Sequence, residues 1–196
     1  MHKRITIIQG HPHPGGQHFV RELAVAYAKA ALGAGHELHV IDVATLKFPL
    51  LRDADAWSAE SVPDTLREAR HQILWADHLV IFFPIWLDSM PALLKGFFEQ
   101  VLRKANHSLG ADPAKGVFDL KALEGKSARI VVTTDMPAFV FRWYFFAHGL
   151  KSLERNILAF AGAAPISDTI IGMSRHDATA RAKWLRKLTA LGRRGD

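Results

Sequence analysis

Apolar and polar residues run along this chain in blocks whose period changes from one to the next. Arg4–Gln9 is an apolar, β-branched run closed by Gly10, which predicts a buried strand. Residues 18–32 place Phe19, Leu23, Ala26, Tyr27 and Ala30 at helical spacing, and Gly33 and Gly35 end that helix. Residues 37–43 read as a second strand. Asp64–Trp75 reads as a helix, with Pro63 just ahead of it. Residues 78–83 are apolar nearly throughout, as in a strand covered on both faces. Pro91 stands in the first turn of a helix over 91–103, with Leu93, Leu94, Phe97, Phe98, Val101 and Leu102 on one side. Residues 128–134 form a fourth strand. An aromatic segment, 139–146, then runs into a helix through Phe160. Residues 165–172 make a fifth strand and 178–191 a last helix.

Strands alternating with helices imply an α/β domain with a parallel sheet between two helical layers. Five such units, with a first loop fit to bind phosphate, predict the flavodoxin-like strand order 2-1-3-4-5. The same alternation by itself also fits a response-regulator-like or a small hydrolase fold. Function therefore has to be read from the loops at the carboxyl ends of the strands.

Length and composition narrow the classes. The chain has 196 residues, of which 49% are hydrophobic, enough for one domain over 1–196 with a sizeable core. It contains no linker-like or repetitive tract, and residues 110–116 read as a surface loop. Absence of cysteine excludes disulfides, thiolate catalysis and Cys-based metal sites, and fits a cytoplasmic location. The apolar run after Met1 is too short for a signal peptide, and the longest apolar stretch, 79–87, is too short for a membrane span. Net charge is +6, but the basic residues are scattered except for Arg181, Lys183, Arg186, Lys187, Arg193 and Arg194 near the C-terminus. Interleaved with Trp184, Leu185, Leu188 and Leu191, they read as the solvated face of an amphipathic helix, so no nucleic-acid partner is expected.

Three loops carry candidate chemistry. The first, Gly10-His11-Pro12-His13-Pro14-Gly15-Gly16-Gln17-His18-Phe19, joins a strand to a helix. Its glycines let the backbone approach an anion, the helix start offers unpaired N–H groups, and His11, His13 or His18 can add a hydrogen bond. It is neither a Walker loop nor a Gly-x-Gly-x-x-Gly fingerprint. An ordinary turn is the plainer reading. A three-histidine metal site lacks a nearby carboxylate, and no metal is expected. The second loop, Pro84-Ile85-Trp86-Leu87-Asp88-Ser89-Met90, is apolar and aromatic where loops are usually polar. It suits a flat apolar ring stacked on Trp86, unless Trp86 and Leu87 belong to the core or to a subunit interface. The third loop begins Thr133-Thr134-Asp135, whose hydroxyls and amides can serve another edge of the same ring. No Gly-x-Ser-x-Gly elbow occurs, which disfavours a hydrolase.

Together, Gly10-His11-Pro12, the run FFPIWLDSMPALLKGFFEQVL and Thr133-Thr134 resemble the NAD(P)H:quinone oxidoreductases of the flavodoxin-like superfamily, the DT-diaphorase-like or modulator-of-drug-activity-like proteins. The resemblance extends over nearly the whole chain and includes HGLKSLERNILAFAG. It implies a bound flavin, FAD or FMN. His11 and the amides of Gly16, Gln17, His18 and Phe19 would hold its phosphate. Pro84, Ile85, Trp86 and Leu87 would line one face and edge of the ring, with Thr133, Thr134 and Asp135 at its pyrimidine side. The implied reaction is ping-pong hydride transfer from NAD(P)H through the flavin to a quinone-like acceptor. His148 and Tyr144 are the candidates for charge stabilisation and proton supply, although His148 also reads as a helix cap and Tyr144 as part of an aromatic dimer core. Family members are commonly homodimers with the flavin at the dimer boundary. Some relatives instead serve as ancillary subunits of potassium-efflux transporters, and an azo- or nitroreductase on the same fold is a further reading. Three departures stand out: Gln17-His18 replaces hydroxyl residues, Asp135-Met136 replaces Gly-Gly, and Lys104-Ala105-Asn106-His107-Ser108 replaces an aromatic segment.

Overall fold

Every strand of the sheet runs parallel to its neighbours, and their order across the sheet is β2-β1-β3-β4-β5. The computed structural model describes residues 2–58, 62–102, 121–173 and 177–196. The strands are β1 (Arg4–Gln9), β2 (Glu37–Asp42), β3 (His78–Pro84), β4 (Ser127–Thr134) and β5 (Ile166–Gly172). The helices are α1 (Phe19–Gly33), α2 (Ala54–Ser58), α3 (Asp64–Trp75), α4 (Ala92–Leu102), α5 (Ala138–Trp143), α6 (His148–Lys151) and α7 (Ala178–Arg194).

The run of apolar residues in β3 is explained by two cores. Leu79, Ile81 and Phe83 face α3 and α4, where Leu66, Ile73, Leu94 and Phe97 are buried. Val80 and Phe82 face α1 and α7, against Leu23, Tyr27, Leu188 and Leu191. A period of two with both faces apolar is what a central parallel strand requires. On the α7 side, a Cβ at Gly192 would meet the Tyr27 carbonyl, so glycine there lets α7 and α1 approach closely.

Several expected boundaries shift. Val43 leaves β2 and enters a 3₁₀ turn, Val43–Thr45, because the Asp42 carboxylate caps it by accepting from the Ala44 N–H at 3.3 Å. The short helix α2 carries no apolar stripe, and the sequence reading lacks it. The aromatic segment 139–146 does not run directly into the helix that follows it, and part of it is itself helical, as α5. Phe146 and Ala147 adopt positive φ (55° and 48°) and break the chain between α5 and α6, and α6 continues as a π-helical stretch over Ser152–Ala159. The last helix runs three residues beyond 191 to Arg194 before Gly195 closes it at φ 67°. The surface loop expected at 110–116 and the departure at 104–108 lie outside the described residues.

Candidate functional site

The carboxyl ends of β1, β3 and β4 lie at one level of the sheet. Gln9 pairs with Phe82, and Pro84 with Thr133. The Gly10 N–H donates to the Phe82 carbonyl at 2.7 Å and the Ile85 N–H to the Thr133 carbonyl at 2.8 Å, so the three loops leave the sheet stitched side by side. They enclose a cleft of about 440 Å³ lined by His11, His13, Gln17, His18, Phe19, Val20, Pro84, Ile85, Trp86, Thr133, Thr134, Asp135 and Arg181. A broader, shallower groove between α1 and α7 lacks such a convergence of loops.

In the first loop His11 is buried, its backbone N–H donates to Gln9 Oε1 at 3.2 Å, and its Nδ1 accepts the His13 N–H at 3.1 Å. That accepted bond puts the ring proton on Nε2. The His18 ring stacks on His11 with centroids 3.7 Å apart and planes at 24°. Burial first, then the neighbouring His18, pushes the His11 imidazole down to about 4. Arg21 holds the loop from α1. It donates to both carboxylate oxygens of Asp42, at 2.7 and 2.9 Å, and to the His13 carbonyl at 2.7 Å. His18 is the N-cap of α1 but makes no side-chain capping bond, and among the described residues the Phe19 and Val20 amides have no backbone acceptor. Two first-turn donors therefore point out of the helix start.

The second loop is a tight hairpin. Trp86 and Ser89 exchange backbone hydrogen bonds of 2.9 and 3.0 Å around Leu87 and Asp88, whose φ values are 46° and 63°. Two consecutive positive φ angles make this a turn of the mirror-image class, strained for a leucine. It turns the Trp86 side chain toward the cleft, edge-on to His11 at 6.4 Å, and leaves Leu87 fully exposed at its tip (103%). Gly149 braces it from behind, because a Cβ there would overlap the Asp88 carbonyl and Ser89 Cα. In the third loop the buried Thr134 accepts the Met136 N–H at 3.3 Å through Oγ1, and Asp135 stands exposed at the cleft.

Ten of the expected cofactor residues thus line one cleft. Leu87 does not, because the hairpin points it outward, and Gly16, at φ 84°, faces the α1–α7 groove instead. Tyr144 (74% exposed) and His148 lie on the outer surface beside Phe145 and Phe146 and do not reach the cleft of their own chain. Two cleft residues were not anticipated, Val20 and Arg181. Arg181 is not on a solvated face: its guanidinium lies 4.4 Å over the Phe19 ring and donates to Glu22 at 2.7 Å. Its position in the first turn after β5 was the available signal, since helix starts in this architecture face the same end as the strand carboxyl ends. Among the described residues no group of three His, Asp or Glu side chains is arranged to hold a metal ion.

Residues 3–191 match the family model described as the flavodoxin-like fold. The chain belongs to that flavodoxin-like family. A ribosyldihydronicotinamide dehydrogenase-like protein of Penicillium crustosum is 28% identical to it over 153 residues, 66% of this chain and 57% of that protein, so the match spans little more than half of the relative. An NAD(P)H:quinone oxidoreductase from Methanothermobacter marburgensis superposes with a TM-score of 0.80 at 20% identity, covering 100% of this chain and 97% of that one. An FMN-dependent NADH-azoreductase from Bacillus anthracis, solved in complex with FMN, gives 0.73 at 12% identity, with 97% of each chain covered. At these identities the two structures share the flavodoxin-like fold with this chain. No helix among the described residues is long and apolar enough to cross a membrane.

Proposed function

We propose that this chain is a flavin-dependent NAD(P)H oxidoreductase that reduces a quinone or a similarly flat electrophile. The observation that carries the reading is the convergence of an anion-binding helix start, an exposed Trp86 and two threonines on one cleft of about 440 Å³. A flavin fits this donor set. The Phe19 and Val20 amides and the His11 Nε2–H would hold its phosphate, Trp86 and Ile85 would cover the ring, and Thr133 and Thr134 would bond its polar edge. The chemistry a bound flavin supplies is two-electron hydride transfer between NAD(P)H and the acceptor. The protein's part is to hold the ring against the hairpin and to leave one face open for donor and acceptor in turn.

The reading includes a homodimer. Phe139, Trp143, Tyr144 and Phe146, all in the segment from α5 to the start of α6, are each more than half exposed, more aromatic area than a free surface normally carries. A second copy seated there would bury it, and would have to bring Tyr144 and His148 to the neighbouring cleft if they serve as proton source and charge stabiliser.

The test is the absorbance spectrum of the purified protein, with the flavin released by heat and identified chromatographically. Bands near ~375 and ~450 nm that bleach on addition of NADPH or NADH are expected of a flavin that accepts hydride. A colourless protein that takes up neither FMN nor FAD ends the reading. A panel of quinones, azo dyes and nitroaromatics assigns the acceptor.

A further inference from the structure

The positive charge of this protein is concentrated in one layer. Helices α1 and α7 lie side by side on the same face of the sheet and share one core. Together they carry eight lysines and arginines against a single acid, Glu22, a net of +7. The entire chain is +6, so all other residues sum to −1 and the whole excess sits on this layer. Three of the eight are held by carboxylates: Arg21 by Asp42, Arg181 by Glu22 and Arg194 by Asp196. The other five, Lys29, Lys183, Arg186, Lys187 and Arg193, stand exposed. Val25, Lys29 and Leu32 recur at i, i+4 and i+7 along α1, and Arg186, Thr189 and Arg193 at i, i+3 and i+7 along α7, so each triplet shares one helix face. Val25 and Leu32 are themselves more than half exposed (52% and 58%). Where the two helices meet, Val25, Lys29, Thr189 and Arg193 line the shallow groove.

We infer that the α1–α7 layer docks side-on against an anionic lipid surface. Clusters of about four to eight basic residues on amphipathic helices draw a protein to anionic headgroups, and each cation adds about fivefold in partitioning. At about 1.5 Å per residue the two helices extend roughly 22 and 25 Å, long enough for their cations to meet several headgroups at once. The exposed aliphatic side chains choose a bilayer over a polyanion. Val25 and Leu32 can enter the boundary between headgroups and acyl chains while Lys29, between them, stays at the level of the phosphates. A nucleic acid offers phosphates but no apolar layer behind them. Docked in this way, the layer brings the first loop beside the bilayer, since Gln17 and His18 line both the groove and the cleft. That position suits an acceptor dissolved in lipid, a consequence that rests on the function proposed above; the docking itself does not.

The experiment is co-sedimentation of the full chain with vesicles of phosphatidylcholine alone or with one-third phosphatidylglycerol, at about 0.1 M salt, where the Debye length is ~10 Å. Binding to the anionic vesicles and not to the neutral ones is expected, with release as salt approaches about 1 M and the Debye length shrinks to ~3 Å. Lys29→Gln with Arg193→Gln removes two cations and is expected to lower the partition coefficient about twenty-five-fold. Lys183→Gln with Arg186→Gln acts alike on α7 alone and guards against a folding defect in the first pair. Arg67→Gln with Lys95→Gln lowers the net charge equally on the opposite layer, from α3 and α4, and leaves binding within about twofold of the unsubstituted protein. Val25→Ser with Leu32→Ser weakens binding several-fold. Failure to sediment with the anionic vesicles at about 0.1 M salt overturns the inference and leaves the flavin reading standing. An equal loss in the Arg67 and Lys95 pair assigns the binding to net charge and also overturns it, as does undiminished binding of both α1–α7 pairs or equal binding to neutral vesicles. Unchanged binding in the Val25 and Leu32 pair, or displacement from the vesicles by duplex DNA at equal phosphate, assigns the layer to a polyanion and overturns the bilayer.

Discussion

Arg21 ties three pieces of chain together at the cleft. Its guanidinium spans Asp42 at the end of β2 and the His13 carbonyl in the first loop, and both partners of the ion pair are largely shielded (18% and 26% exposed). A bidentate pair of this kind in a half-buried place counts for more than an exposed one. Arg21→Ala is expected to cost about 1–3 kcal/mol in denaturant unfolding, because the Asp42 carboxylate loses its partner. It is also expected to weaken FMN binding several-fold, since the first loop loses its tether. Unfolding and binding curves unchanged from wild type would show that the loop holds itself. His11 and His18 were legible in the sequence as possible anion ligands, being polar residues beside glycines at a helix start. Their stacking was not, because it depends on how the loop between them folds back to bring residues seven apart into contact. Arg181 was obscured by its basic neighbours, which belong to a solvated helix while it alone turns inward onto Phe19.

At the scale of elements, α5 and α6 show where local pattern misleads. The sequence reading takes 139–146 as an aromatic segment that runs directly into a helix through Phe160. The structure breaks it at Phe146 and Ala147, docks α6 against the hairpin through Gly149, and leaves Trp143, Tyr144 and Phe146 outward. If a second copy covers this surface, Trp143→Glu with Phe146→Glu should place like charges across the contact. Sedimentation is then expected to report a monomer where the unsubstituted protein is a dimer, with oxidoreductase activity falling at least tenfold. An unsubstituted protein that sediments as a monomer at micromolar concentration would remove the dimer from the proposed function. The strands were the easiest elements to read, since an apolar run of six or seven residues in an α/β alternation leaves few options. The hairpin at 86–89 was read simply as a loop, because neither leucine nor aspartate announces positive φ as Asn-Gly would.

For the whole molecule, the balance of its two cores sets the response to acid. His78 opens β3 in the buried layer beneath α1 and α7, its Nδ1 2.7 Å from the Ser127 hydroxyl, and burial pushes it down to about 4. Unfolded, the same imidazole protonates near 6.5, so the unfolded chain takes up a proton that the folded one refuses. Stability is therefore full above pH 6.5 and falls as the pH drops toward 4, by about 3 kcal/mol from this group. His11 shifts in the same direction. Urea unfolding at pH 7.5, 6 and 4.5 is expected to show the decline, reduced in His78→Gln; a flat profile would mean that water reaches the ring. The sequence by itself determined the α/β alternation, the five strands and their parallel arrangement, and the three loops that could carry chemistry, because hydrophobic period and turn residues are local properties. The family resemblance added the flavin. Tertiary structure alone decided that the loops meet in one cleft, that Arg181 joins it while Leu87, Tyr144 and His148 do not, and that both arginines at the cleft are already paired. These depend on how strands register and how helices pack, contacts between residues far apart in the chain that no local pattern encodes.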